Sequence, residues 1–487
     1  MSSSYIGRSV DAINNISTLD NLSFNGSDAT FNLTKNGVAF TPVSSSALNI
    51  QIDGVIQSNN YSINNATVTF DFVPSSSSVC NNIRHYGVGL LTTVSDSSIT
   101  TAKIGSGAVT SSKIASGVIP SFRPNAIPLA YNGNMEVAQR STSVTGLTNG
   151  SSGYHTVDRW KWHENGSPSS AWTMTQETLT SGNAYADGFN NALKIDCTTA
   201  QGSLGAGDTL HIEQRFEKQD LGAFKKGTAN AQKFTFGFWV KATKTGTNII
   251  ELQDQGNDRA VSATYTISTT NTWEHKVVSF PADTTGNFGT GNGLGLILRF
   301  YIFAGTNYTS GSLQTSWGAS TTNKRANGQV NNADSTSNNW HLRGFQMEVG
   351  EYTSSTIPPF QHETYGNNLN RCLRYFQAPI FTSSQGVAEE YSVFGTGVYS
   401  ASSYFRCPRP LPVEMRVNPS LVSSSGTNYF FILAGANDDI NDLTLFPDSN
   451  FKTAWVYNND EASGTAGQAG ILMGNNASAY AWLNAEL

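Results

Sequence analysis

Cysteine is scarce and unpatterned here. Cys80, Cys197, Cys372 and Cys407 are the only four, and no two form a CxxC pair. Zinc-ribbon and dithiol redox motifs are therefore excluded, and a disulfide framework is not expected in a chain of 487 residues. Cys372 and Cys407 alone are close enough in sequence to make one bridge plausible. The favoured expectation is free thiols that pack as small hydrophobes. Charge is also thin: Asp, Glu, Lys and Arg make up 13% of the residues, about half the usual share. The net charge of -6 leaves no basic footprint, so nucleic acid is not expected as a partner. No stretch approaches the ~18 apolar residues of a membrane span. The opening MSSSYIGRSVDAINNIST lacks the continuous apolar segment of a secretory signal, so synthesis in a cytoplasm is expected. Catalytic signatures are missing too. There is no HExxH, no GxSxG, and the seven histidines fall in no ligand spacing. The run GNFGTGNGLG lacks the lysine of a phosphate cradle and reads as a wide loop between strands.

What is present is aromatic and small: 11% Phe, Trp and Tyr, 45 glycines, and abundant Ser, Thr and Asn. A disordered chain would be poor in aromatics, and helical bundles need Glu/Lys/Leu/Ala runs. The composition predicts a mainly β protein with solvated turns. Over residues 1–92, FNLTKNGVAFTP, ALNIQIDGVIQ and YSINNATVTFDFVP alternate apolar and polar positions around Asn36-Gly37 and Asp53-Gly54, the pattern of short antiparallel strands.

Residues 93–121 contain a ten-residue unit written twice, ITTAKIGSGA then VTSSKIASGV. Its apolar residues Ile99, Ile104, Val109, Ile114 and Ile119 recur every five positions. A strand puts residues an odd number apart on opposite faces, and a helix rotates steps of five around its cylinder. Neither element buries them alone, so these five residues are expected to contact symmetry-related chains, three around a short rod being the natural closure. A flexible Ser/Gly linker is the alternative.

From 122 to 365, strand-like runs such as LHIEQRF, KFTFGFWVKA, LGLILRFYIF and WHLRGFQMEVG follow one another without a convincing helical period. They predict a jelly-roll sandwich. Within FTFGFWVKA, alternation places Phe234, Phe236 and Phe238 on one face and Trp239 on the other. The region 366–487 starts with the only fair helix, Gly366 to Phe376, and continues in strands as a compact β tip.

Several of these stretches resemble one family. Gly54-Val55, Tyr61, Thr67 to Phe70, Pro74 and Tyr86-Gly87 match a small β-domain near the N-terminus of tail fibres in short-tailed phages, particularly marine ones. Cys80-Asn81-Asn82 departs from its apolar last strand. The T-x-x-K-I repeat resembles fibre shafts. NGNMEVAQR, VDRW, FTFGFWVKA and GFQMEVG...PPFQHETYGNNLNRCLRYFQ resemble the carbohydrate-binding-like jelly roll of tail fibres and tailspikes. PRPLPVEMRVNPS and the closing AEL resemble fibre tips. The resemblance implies an elongated homotrimeric virion protein in four parts: tail-attachment β-sandwich (1–92), repeat rod (93–121), jelly roll (122–365) and receptor-binding tip (366–487). Its implied partners are tail adaptor or nozzle proteins at the N-terminus and a bacterial surface glycan or outer-membrane receptor at the other end. Neither cofactor nor metal is implied, and binding without catalysis is expected. A tailspike enzyme that cleaves surface polysaccharide, a purely structural tail component and a secreted adhesin are the alternatives.

Sugar recognition needs exposed aromatic faces with amides or acids beside them. The candidates are Trp160, Trp162 and Trp172 in the jelly roll and Trp455, Tyr457, Tyr480 and Trp482 in the tip. Of these, Trp162, Trp172, Tyr457, Tyr480 and Trp482 are the ligand-binding choices. Trp160 falls in VDRW, which the resemblance assigns to the core. Tyr404 and Tyr429 lie near the Asn- and Asp-rich segments 436–442 and 458–464, expected to be receptor-facing loops. For the enzymatic alternative, Asp158, Glu164, Glu213 and Glu217 are the carboxylates to inspect, with Asp158 and Glu213 expected instead to pair with Arg159 and Arg215.

Overall fold

The computed structural model describes residues 16–42, 44–86, 104–105, 109, 127–180, 187–381 and 392–487. The chain divides into two compact units, Met1–Ile114 and Ala115–Leu487.

In the first unit a four-stranded sheet (order Ile16–Leu19, Cys80–Tyr86, Leu48–Ile52, Val55–Gln57) and a three-stranded sheet (Thr30–Asn32, Thr67–Phe70, Tyr61–Asn64) enclose a small core. Leu33, Ile50, Val68, Phe70 and Ile83 lie at its centre. Asn36-Gly37 and Asp53-Gly54 join hairpin strands with φ of 54° and 78°, and 50° and 81°. Two successive positive φ values make the tight hairpin turn whose twist suits the strands, which is why Asn-Gly and Asp-Gly stand there. Of the repeat, Ile104 and Val109 are exposed in the single chain. Ile99, Ile114 and Ile119 lie outside the described residues.

The second unit holds a sandwich. Its six-stranded sheet runs Ser143–Leu147, Ala171–Thr178, Asn191–Thr199, Asn339–Val349, Phe234–Ala242, Glu274–Phe280. Its seven-stranded sheet has Thr209–Glu217, Leu294–Ala304, Gly246–Asp254 and Arg259–Ile267 as its long strands. All pairings are antiparallel. Phe234, Phe236, Phe238, Phe300, Trp340 and Phe345 fill the space between the sheets. A further seven-stranded sheet, with Val393–Ala401 and Ala469–Gly474 among its strands, and a three-stranded sheet (Phe376–Ile380, Ala481–Asn484, Ser420–Ser423) enclose a separate core. All four cysteines are free and buried.

The helix spans Tyr365–Leu373, opened by Thr364, whose hydroxyl accepts from the Asn367 N–H. It packs with the jelly roll: Asn368 donates to Asn132 (3.0 Å) and Asn134 (2.8 Å), and Tyr375 joins the jelly-roll core. Ile380, five residues further on, belongs instead to the separate core.

The sequence pieces NGNMEVAQR, VDRW and NNLNRCLRYFQ converge on one buried residue, Arg159. Its φ of +70° is costly for a side chain this large. Its guanidinium stacks on Tyr375 at 3.5 Å, pairs with Glu486 and donates to the Arg215 carbonyl (2.6 Å). Glu486 also takes Arg140 at 3.3 Å, and Arg416 donates to the Ala485 and Glu486 carbonyls. The last strand is thereby pinned to the sandwich. The partner expected for Arg159 was Asp158; instead Asp158 faces Arg140 (3.8 Å) and Gln139, while Arg159 takes Glu486.

Truncating Glu486 leaves Arg159 buried without a carboxylate. Glu486→Ala should lose about 3–5 kcal/mol in denaturant unfolding, and a loss under about 1 kcal/mol would show that the pair does not hold the two parts together.

Candidate functional site: an aromatic cleft on the six-stranded sheet

The outer face of the six-stranded sheet carries a cleft of about 500 Å³. Strand register sets Arg343, Trp239 and His275 side by side across three strands. The Trp239 and His275 rings are 5.1 Å apart. Phe189, Phe360 and His362 form the opposite wall, with centroids 4.9–5.0 Å from one another. Asp187 and Gln346 complete the lining. Gly344 makes the close packing possible: its φ is +55°, and a Cβ there would lie 2.7 Å from Phe189. A second hollow of about 280 Å³, lined by Leu129, Met347 and Tyr352 among others, shares Gln346 and Phe360 with the first. The larger of the two falls in the range of small-molecule sites.

Two side chains in this region carry polar atoms with no partner among the described residues. Gln346 donates to the Pro358 carbonyl (2.9 Å), but its Oε1 accepts nothing. Arg343 is fully buried, and among the described residues no acceptor meets its Nε, Nη1 or Nη2. The guanidinium is instead caged by Trp273, Phe189 and Trp239, at 4.5, 4.9 and 5.4 Å from its carbon. Such contacts favour a cation by about 0.5–2 kcal/mol each but satisfy no N–H. Burial lowers the Arg343 pKa to about 10, with Asp187 opposing the shift, so it stays cationic at neutral pH. Burial likewise lowers His275 and His362, favouring their neutral forms.

The outer face of the seven-stranded sheet is closed chemically. Arg215, Glu213, Arg299, Glu251 and Arg325 alternate in a ladder, with successive N–O distances of 2.9, 2.9, 3.1 and 2.7 Å. His163, His211 and Glu213 also bring ligand atoms within 4.8 Å of one another. That grouping suits a cation poorly, because Glu213 already takes Arg299, Arg215 and the His211 ring nitrogen at 2.8–2.9 Å. It reads as an ion-pair network.

The residues chosen from sequence separate into three places. Trp162 and Trp172 are corrected: they are 2% and 1% exposed, their rings 6.2 Å apart inside the core. Inward alternation buries them, and their indole N–H groups are satisfied by Glu164 and Ser170. Trp160 is in the core as expected. Tyr457 is half-buried on the second seven-stranded sheet, against Tyr404 (5.5 Å) and Phe446 (5.8 Å), with Arg406 over Tyr404. Tyr480 and Trp482, at the start of the strand Ala481–Asn484, have ring centroids 4.4 Å apart with the planes tilted by 32°. Segments 436–442 and 458–464 are tied together: Asp438 accepts from the Ser463 N–H (2.7 Å), and Asn441 donates to Glu461. The inspected carboxylates are engaged as well, Glu164 by Trp162 and Glu217 by Arg374 (2.7 Å) and Tyr375 (2.5 Å). Sequence reading missed Arg343, Trp273, Phe189, Phe360 and Gln346, although alternation in FTFGFWVKA had already turned Trp239 outward.

No protein-family model matches the chain, and no curated protein sequence is similar to it. Among solved structures it is similar to the enzymatically active domain of bacteriophage CBA120 tailspike protein 4 (13% identity, TM-score 0.23, covering 42% of this chain and 21% of that one). It is also similar to TmCBM61, solved with β-1,4-galactotriose (10% identity, TM-score 0.22, 46% of this chain and 99% of that one). A third likeness is the CBM22-1 xylan-binding domain from Paenibacillus barcinonensis Xyn10C (11% identity, TM-score 0.21, 45% and 100%). The chain spans about a fifth of that tailspike domain. At these scores the likenesses carry no argument about function.

Burial lowers the His211 pKa to about 3, although Glu213 pulls it upward. Burial alone would raise Glu213, but Arg299, His211 and Arg215 hold it well below the usual carboxylate range. Below pH 6.5 the unfolded chain binds a proton that the folded His211 refuses, so stability falls with pH. His211→Gln should flatten that fall by up to about 1.4 kcal/mol per pH unit between about pH 6.5 and 5. Urea denaturation at several pH values measures it, and parallel curves would show that His211 is not the group responsible.

Proposed function

We propose that this chain is a host-recognition component of a phage tail, a trimeric fibre that binds a bacterial surface glycan without cleaving it. The observation that carries the glycan reading is the cleft beside Trp239. Its aromatic walls offer flat apolar faces for the C–H side of a sugar ring, and Gln346 and Asp187 stand by for hydroxyls. The phage assignment is supported by the sequence motifs of the jelly roll, which meet around Arg159. Attachment to the tail through residues 1–92 and trimerisation through the repeat complete the reading. Exposure of Ile104 and Val109 in one chain is what apolar residues awaiting a partner would present. Three copies on one rod convert weak single-site contacts into avidity.

Two measurements test this. Trp239→Ala should weaken retention on the host's surface polysaccharide by at least about ten-fold while thermal unfolding stays cooperative; undiminished retention would remove the cleft from the function. Released oligosaccharide in the same incubation would establish the enzymatic alternative instead. Light scattering should give three chain masses, falling to one in an Ile104→Asp/Ile114→Asp variant, and a wild-type monomer would remove the argument from the repeat.

A further inference from the structure

Among the described residues two arginines are fully buried, and they are treated oppositely. Arg159 has a carboxylate, a backbone carbonyl and stacked tyrosines. Arg343 has rings and no acceptor on any of its three nitrogens. A buried cation without an anion is among the costlier things a fold can hold. Methionine would fill similar space without burying a charge, so a guanidinium kept here points to something that completes it. Its neighbours say where that something sits. Phe189 and Trp239 both cover Arg343 and line the cleft, and the lone acceptor Gln346 Oε1 stands on the same strand. Asp187 is the nearest acid, but it is exposed at the rim and makes no ion pair with Arg343.

We propose that the cleft selects an acidic glycan, a sugar carboxylate seating on Arg343 while a hydroxyl of the same or the next residue donates to Gln346 Oε1. The proposal rests on reading the cleft as a glycan site and names the class of sugar it takes. A carboxylate presents two oxygens in the plane and spacing of the guanidinium fork, giving paired charge-assisted hydrogen bonds that a neutral sugar lacks. The guanidinium is covered in the unliganded chain, so the Phe189 ring must rotate aside as the carboxylate enters. Planar rings over the sugar and a fixed cation beneath it then read the two features that set a uronic acid apart from its parent hexose.

The test uses the full chain and three tetrasaccharides in calorimetric titrations: tetragalacturonate, its carboxyl-reduced neutral form, and a sulfated neutral tetrasaccharide of matched charge. The expected result is binding of tetragalacturonate at least about ten-fold tighter than the reduced form, with the sulfated sugar weaker than the carboxylated one. Arg343→Met should fold with a melting temperature no lower than wild type and bind acidic and neutral oligomers alike. If that variant does not fold, His362→Glu, an exposed change at the rim, should weaken the acidic oligomer more than the neutral one. Equal affinity of wild type for acidic and reduced forms overturns the acidic assignment and leaves the glycan reading standing. Preference for the sulfated sugar overturns the carboxylate, and a preference that survives in Arg343→Met overturns the role of Arg343. Binding of none of the three, nor of host polysaccharide, is the failure of the glycan reading itself.

Discussion

The pairing of Arg159 with Glu486 is the constraint on which the second unit's architecture depends. It joins a residue at the start of the jelly roll to one 327 positions later, and it does so without solvent. Around it are Tyr131, Tyr154 and Tyr375, whose rings bracket the guanidinium, and Arg140, which shares the carboxylate. Burial of this kind rarely adds net stability, because desolvation offsets the attraction. What it does fix is register. The strand Ala481–Asn484 pairs with Phe376–Ile380 on one side and Ser420–Ser423 on the other, and the acid two residues beyond it must reach one guanidinium. A slip of one residue would turn every inward side chain of that strand outward and strand the charge.

Reading alternation from sequence was enough for the sandwich and for most of its core. Phe234, Phe236 and Phe238 are buried with Trp239 on the other face, and Asn36-Gly37 and Asp53-Gly54 sit at hairpin turns. Both signals are local, confined to a few consecutive residues. Pairings across hundreds of residues were not legible. Asp158 next to Arg159 suggested a neighbour pair, yet the two sit in a turn where Arg159 has a φ of +70°, and each found a partner from elsewhere. Trp162 and Trp172 failed as ligand candidates for a related reason. Large aromatics are conspicuous in a sequence, but inward and outward rings look the same until each strand's phase is known. Trp239 was readable because three phenylalanines set the phase of its strand. No such ruler exists for Lys161–Asn165, which is five residues long.

The cleft itself was invisible for a geometric reason. Its walls come from four separated stretches around positions 189, 239, 275 and 344–362, and Arg343 comes beside Trp239 only because Asn339–Val349 lies between Asn191–Thr199 and Phe234–Ala242. Strand order in a sandwich follows from connections that single-sequence patterning does not encode.

The two outer faces of the sandwich differ in how they balance charge, and that difference locates the place where the chain is incomplete by itself. On the seven-stranded sheet, Glu213 and Glu251 each stand between two arginines, and the hydroxyl of Tyr301 donates to Glu251 at 3.0 Å. Nothing in that ladder asks for a further anion, because every guanidinium already meets a carboxylate. On the six-stranded sheet, Glu177 serves His341 (2.9 Å) and lies 3.9 Å from Lys241, one row away from Arg343. An acid was therefore compatible with this face and was spent on a neighbouring pair. Aromatic rings take the place an acid would fill beside Arg343. They shield the cation from water without neutralising it, which keeps its field available to whatever enters the cleft. A face built this way gives up folding stability to hold an unneutralised charge.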